Sequence, residues 1–335
     1  MNAVLPYLPE PLRGMLDKLP APDRSAAEEI RIREMRPLEI VVAGKPRFVS
    51  PDGKLTLDPS QAYLPKKEDS ARLLDLLTNH SVYTFEEELR RGYITIAGGH
   101  RVGLAGRALL ERGEVRLLRD IGSFNIRIAR EVKGAGVPLF PVLWDKAAGN
   151  VHQTLVVSPP QHGKTTLVRD LARLISTGSL TADGQAHAGL KVGIVDERSE
   201  IAACVKGVPS FDVGPRTDVL DGCPKAEGMM MMIRSMSPDV LVVDEIGRPE
   251  DAAALNEALH AGVRVIATAH GRDAEDACAR PVMKALLKER MFSRIVEMFR
   301  SEATGIRRCT VRDADGRVLA VRQLAPRREA GVPIC

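Results

Sequence analysis

A short β-branched run, TLVV at 154–157, passes through the loop SPPQHGKT and straight into TLVRDLARLI, whose apolar residues recur at helical spacing. A buried strand, a tight loop and a helix that follow one another without a linker leave few architectures open. The strand has to be central in a sheet, and the helix has to pack back onto it. Three more segments have the same apolar character: KVGIVD (191–196), VLVVD (240–244) and VRVIATA (263–269). Helical patterns over 165–176, about 224–236 and 250–261 separate them. Strands apolar on both faces, alternating with helices, predict a doubly wound α/β core with a mainly parallel sheet. Its ligands are expected at the carboxyl ends of the strands.

The preceding part follows a different pattern. IRIREM and LEIVVAG read as short strands. From residue 66 to 79, the spacing of Ala71, Leu73, Leu74, Leu76 and Leu77 predicts an amphipathic helix. GYITIAGGHRVGLAGRALL and EVRLLRD then form a hairpin or meander with glycine turns, and NIRIAR keeps the period of two. The expected organisation is a smaller α+β N-terminal domain over 1–145 and an α/β domain over 146–335. A C-terminal β-hairpin built from RRCTVRD and RVLAVRQL closes the second domain. Aromatic residues are only 4% of the chain, so Val, Ile, Leu, Ala and Met must fill the cores. The run Met229–Met232 reads as flexible core filler of that kind.

The five cysteines, Cys204, Cys223, Cys278, Cys309 and Cys335, form no CxxC pair and no Cys/His cluster. They are expected to be reduced thiols of a cytoplasmic protein. The N-terminus has no signal-peptide pattern, and no stretch approaches the roughly 20 apolar residues of a membrane span. The expected location is the cytoplasm, at most against the inner face of the cell membrane.

The loop determines the chemistry. Phosphate binding needs backbone N–H groups that converge on the anion, and a helix N-terminus adds positive potential. Ser158, Pro159, Pro160, Gln161, His162, Gly163, Lys164, Thr165 and Thr166 supply such a loop. In this reading Lys164 reaches the β- and γ-phosphates and the Thr165 hydroxyl ligates Mg²⁺. The pattern G-x-x-x-x-G-K-[ST] normally opens with glycine, and here Ser158 takes that place. VLVVDEIG ends a second strand in two acids: Asp244 to hold Mg²⁺ through its water shell and Glu245 to polarise the attacking water. GIVDERSEI brings Asp196, Glu197 and Arg198 to a third strand end, and ATAHG brings Thr268 and His270 to a fourth. Glu197 and Glu245 both remain open as the general base. The implied cofactors are ATP and Mg²⁺.

Long stretches carry a family resemblance: IRIREMRPLEI, SVYTFEEELRRGYITIAGGHRVGLAGR and NIRIAREVKG, then SPPQHGKTTLVRDLAR, VDERSEIA, DVGPRTDVLDGCPKAEGMMMMIRSMSPD, VVDEIG and TAHG. Through them nearly the whole chain resembles the stage III sporulation protein AA family, itself similar to the RecA-like secretion and pilus ATPases. The resemblance implies that Lys164 and Thr165 are the Walker A pair and Glu245 the Walker B glutamate. It also makes Glu197 the carboxylate of an acidic "Asp box" and His270 the imidazole of a "His box". It further implies a homo-oligomeric, hexameric ring whose sites are completed by arginines from elsewhere, with Arg101, Arg107, Arg127, Arg130 and Arg216 as candidates. The implied activity is ATP hydrolysis that energises integral-membrane proteins of a secretion-type complex in endospore formation. Gln161-His162 departs from the small residues usual in the family. Two alternatives share the core: a nucleic-acid-dependent ATPase and a nucleotide-gated scaffold with little turnover. A net charge of +4 and few aromatics argue against nucleic acid as a partner.

Overall fold

The computed structural model describes residues 1–79, 81, 85–111, 113–129, 131–160, 162–180, 186–301 and 307–324. They fall into two compact units that divide between residues 130 and 131.

The first unit is built on an antiparallel sheet. Its strands are β1 (Ala27–Arg33), β2 (Glu39–Val42), β3 (Lys45–Val49), β4 (Leu55–Thr56), β5 (Tyr93–Ile96), β6 (His100–Glu111) and β7 (Glu114–Arg127), in the order β4-β3-β2-β1-β7-β6-β5. Alternation puts Ile30, Ile32, Val102, Phe124 and Ile126 on the buried face, against Leu73 and Leu77 of helix α1 (Lys67–Leu77) and Leu8, Leu12 and Leu16 of the N-terminal segment. Arg31, Arg33, Arg101, Asn125 and Arg127 occupy the other positions of the same strands.

His100 begins β6 on the buried side. Its Nδ1 accepts the Ala129 N–H at 3.0 Å, and burial holds the imidazole down at a pKa of about 4. Because the folded state refuses a proton that the unfolded chain takes up near pH 6.5, this group contributes fully above pH 6.5. The contribution fades as pH falls towards 4, a loss of about 3 kcal/mol. Denaturant unfolding followed from pH 7.5 to 4.5 should show this fall, and His100→Asn should flatten it. An unchanged pH slope in that variant would exclude His100 as the cause.

The second unit holds an eight-stranded sheet. In chain order its strands are β8 (Thr154–Ser158), β9 (Val192–Asp196), β10 (Thr217–Asp221), β11 (Val240–Val243), β12 (Arg264–His270), β13 (Arg294–Arg300), β14 (Arg307–Asp313) and β15 (Val318–Gln323). Their spatial order is β10-β9-β11-β12-β8-β13-β14-β15, parallel from β10 to β13 and antiparallel beyond. Helix α2 (Lys164–Thr177) covers one face, with Leu167, Val168, Leu171 and Ile175 against Val156, Ile194, Val242 and Ile266. Helices α3 (Lys225–Met236) and α4 (Pro249–His260) cover the other, with Met229, Met232, Leu255 and Ala258 against Leu155, Val157, Leu241 and Val243. Burial on both faces explains why these strands read as continuous apolar runs. Met229 and Met232 are core, whereas Met231 faces outward.

One feature differs from the sequence expectation. The units divide at 130/131 rather than near 145, because Ala135, Leu139, Phe140 and Leu143 pack with Leu167 and Leu171 of the second unit. Polar ties reinforce this: Gly136 N donates to the buried Asp170 carboxylate at 2.8 Å, and Lys133 Nζ pairs with Asp212 at 2.6 Å. The expected terminal hairpin is present as β14 and β15. It extends the main sheet through β13, which runs parallel to β8.

Candidate nucleotide site

The connection leaving β8 runs to β9 on one side, and the chain leaving β12 returns to β13 on the other. A crevice therefore opens at the carboxyl end of β8, where the loop residues sit. Ser158 stays extended as the last, fully buried residue of β8. Gly163, at φ 97°, turns the chain into α2. This left-handed conformation suits glycine and strains other residues.

Lys164 is buried, and its ammonium has three neighbours. Nζ donates to the Ser158 carbonyl at 2.9 Å and to the Pro159 carbonyl at 3.3 Å, and it lies 3.1 Å from His270 Nδ1. An ammonium only donates, so Nδ1 accepts and the ring proton sits on Nε2. That nitrogen donates to Glu245 Oε1 at 2.8 Å. Burial pulls Lys164 below the ordinary lysine range, Asp244 and Glu245 draw it back, and Arg280 adds to the lowering.

The Thr165 hydroxyl bonds Asp244 Oδ2 at 3.0 Å. Asp244 Oδ1 accepts from the Thr268 hydroxyl, which in turn accepts the Glu245 backbone N–H at 2.8 Å. Glu245 itself has a left-handed backbone, at φ 53°. Such a conformation in a side-chain-bearing residue costs of order 1 kcal/mol or more, and the surrounding bonds must hold it. Its second carboxylate oxygen accepts from Arg198 at 2.8 Å. Four adjacent strands, β9, β11, β12 and β8, thus bring Arg198, Asp244, Glu245, Thr268, His270, Lys164 and Thr165 into one hydrogen-bonded chain.

The neighbouring acids are used differently. Asp196 accepts three backbone N–H groups, from Glu200, Ile201 and Ala202, and so shapes the loop after β9. Burial still pushes its carboxyl up to about 6, against the pull of those donors. Glu197 is bound by the buried Lys225 Nζ at 2.6 Å, outside the Glu245 network.

The candidate arginines are dispersed. Arg101 lies over the Tyr93 ring at 3.5 Å and stands opposite Arg127, and Arg107 stands opposite Arg119, all in the first unit. Arg216 bonds the Ser176 carbonyl at 3.3 Å, at the end of α2 remote from the loop. Arg130 and Gln161 lie outside the described residues. Sequence reading missed the ion pair of Arg198 with Glu245 and that of Lys225 with Glu197. A partial signal existed for the first: both runs read as parallel strands of one sheet whose ends share a rim, but the sequence does not make β9 and β11 neighbours.

The family model for sporulation stage III protein AA matches residues 2–319. The chain belongs to that family. It is 49% identical to the stage III sporulation protein AA of Bacillus subtilis (strain 168) over 335 residues, all of both chains. Among solved structures it is similar to the Legionella pneumophila ATPase DotB, with a TM-score of 0.51 and 15% identity, covering 90% of this chain and 80% of that one. It is also similar to the pilus retraction motor PilT with bound ADP, with a TM-score of 0.50 and 14% identity, covering 85% and 78%. At such identities the likeness speaks for the fold, which is a RecA-like P-loop core preceded by a smaller α+β unit.

Proposed function

We propose that the chain is a Mg²⁺-dependent ATPase that works in a homo-oligomeric ring on a membrane-embedded, secretion-type assembly of endospore formation. The observation that carries the ATPase reading is the chain of hydrogen bonds from Thr165 through Asp244, Thr268, Glu245 and His270 to Lys164. It joins the groups that would hold the metal, activate water and bind phosphate. The ring and its membrane partner rest on the family's sporulation name and on the motor and ATPase names of the fold's neighbours. Among the described residues no helix is long and apolar enough to cross a membrane, so the proposed place of action is the cytoplasmic face.

The hydroxyl of Thr165 and the carboxylate of Asp244 are hard oxygen donors, a set that suits Mg²⁺. A Mg²⁺ ion held by these two residues would supply positive charge to offset that of the phosphate oxygens. Lys164 exchanges its carbonyl partners for phosphate oxygens, a stronger charge-assisted pairing. Glu245 takes the proton of the attacking water, the γ-phosphoryl group passes to that water, and ADP leaves with inorganic phosphate. Thr268 aims the two acids: one hydroxyl serves the Asp244 carboxylate and the Glu245 backbone. His270 links the base to Lys164, so a change at the phosphate is felt at Glu245. Glu197, committed to Lys225, is a less fitting base.

The direct test is phosphate release from ATP by the purified chain with Mg²⁺ and with excess EDTA. Turnover that disappears with the chelator is expected. ATP binding without turnover in either condition would instead favour the gated scaffold.

A further inference from the structure

The side of the loop away from Asp244 is lined with positive charge. β13 runs beside β8 and so flanks the loop that β8 feeds. The His162 Nδ1 is buried without a partner among the described residues. Arg300 ends β13 and Arg307 begins β14, directly opposite each other in the antiparallel register. The Arg307 guanidinium lies on Gly163: a Cβ there would come within 2.9 Å of Nη1. Lys164, which follows Gly163, adds a third cation to the two arginines that act on this histidine.

We propose that Arg300 and Arg307 form a second cationic wall of the loop and bind the α- and β-phosphates from the side opposite Asp244. The proposal rests on the nucleotide reading above and assigns it two positioning residues outside the Gly-Lys-Thr motif. It also accounts for the loop's composition. SPPQHGKT contains two prolines, which lack N–H groups, so it offers fewer backbone donors than a loop without proline. Two guanidiniums, each able to present paired N–H groups to a phosphate, make up the deficit.

The test is calorimetric titration of the full chain with ADP, AMP and adenosine. Arg307→Ala and the exposed Arg300→Ala are each expected to weaken ADP roughly tenfold, the scale of one charge-assisted hydrogen bond. AMP should weaken less and adenosine not at all, and Arg307→Lys should recover part of the loss. Melting curves without nucleotide report folding, and Arg300→Ala keeps the test valid should Arg307→Ala unfold. An equal loss for adenosine and ADP, or no loss in either variant, overturns the proposal. Lys164→Ala separates the two levels. If it abolishes ADP binding while both arginine variants bind normally, only the second wall fails. If the unaltered chain binds no ADP, the nucleotide reading fails with it.

Discussion

Replacing Glu245 by glutamine is expected to lower kcat for ATP hydrolysis by about 10²–10⁴-fold, the range typical of a lost general base, while ATP still binds. Glutamine keeps the volume and one acceptor oxygen but cannot take the proton of the water. It also brings an NH₂ group towards either the His270 Nε2–H or Arg198, both of which donate to this carboxylate. One of those contacts must open, whereas the Thr165–Asp244 pair lies outside the exchange. Steady-state phosphate release together with equilibrium titration of ATP separates the two effects. A variant that turns over within a few-fold of the unaltered chain would remove Glu245 from the role. Glu197→Gln, measured alongside, would then become the informative comparison.

Lys164→Ala should act on binding first. Its ammonium is the buried cation at the helix N-terminus, already desolvated, so its interaction with a phosphate oxygen is little weakened by solvent. Loss of at least about 10²-fold in kcat/KM is expected, with ATP affinity falling in parallel. The substitution also leaves His270 Nδ1 without its donor, so the ring is free to change tautomer and Glu245 loses part of its hold. A variant that keeps near-normal affinity and loses only turnover would mean that Lys164 serves the transition state alone.

Much of this site was legible beforehand, because a parallel sheet is written in local text. Each β-branched run ends at a residue of the candidate site: TLVV before the loop, VLVV before Asp244, VIATA before His270. The helices between them show their apolar faces at the expected spacing. What could not be read were contacts set by strand order. Nothing local in VDERSE says that Arg198 will reach Glu245, since β9 and β11 meet only after the chain has returned through β10 and α3. The choice between Glu197 and Glu245 stayed open for the same reason: the Lys225 partner of Glu197 sits at the start of a helix whose placement the sequence does not fix. The domain boundary was drawn late because the change of character was read at the polar stretch around Trp144 to Gln153. The apolar residues before it, Leu139, Phe140 and Leu143 among them, pack beside α2 and belong to the second unit.

The position of β8 in its sheet also bears on synthesis. It is the first strand of the large sheet to leave the ribosome, yet its two neighbours span 264–270 and 294–300. A nascent chain therefore carries the phosphate loop for about a hundred residues before either flank exists to press it into shape, the kind of distant pairing that folds slowly. On the proposed function, ATP would have nothing to grip until the flanking strands arrive, and would then stabilise only the finished arrangement. The nucleotide would then serve as a folding checkpoint before it serves as a fuel.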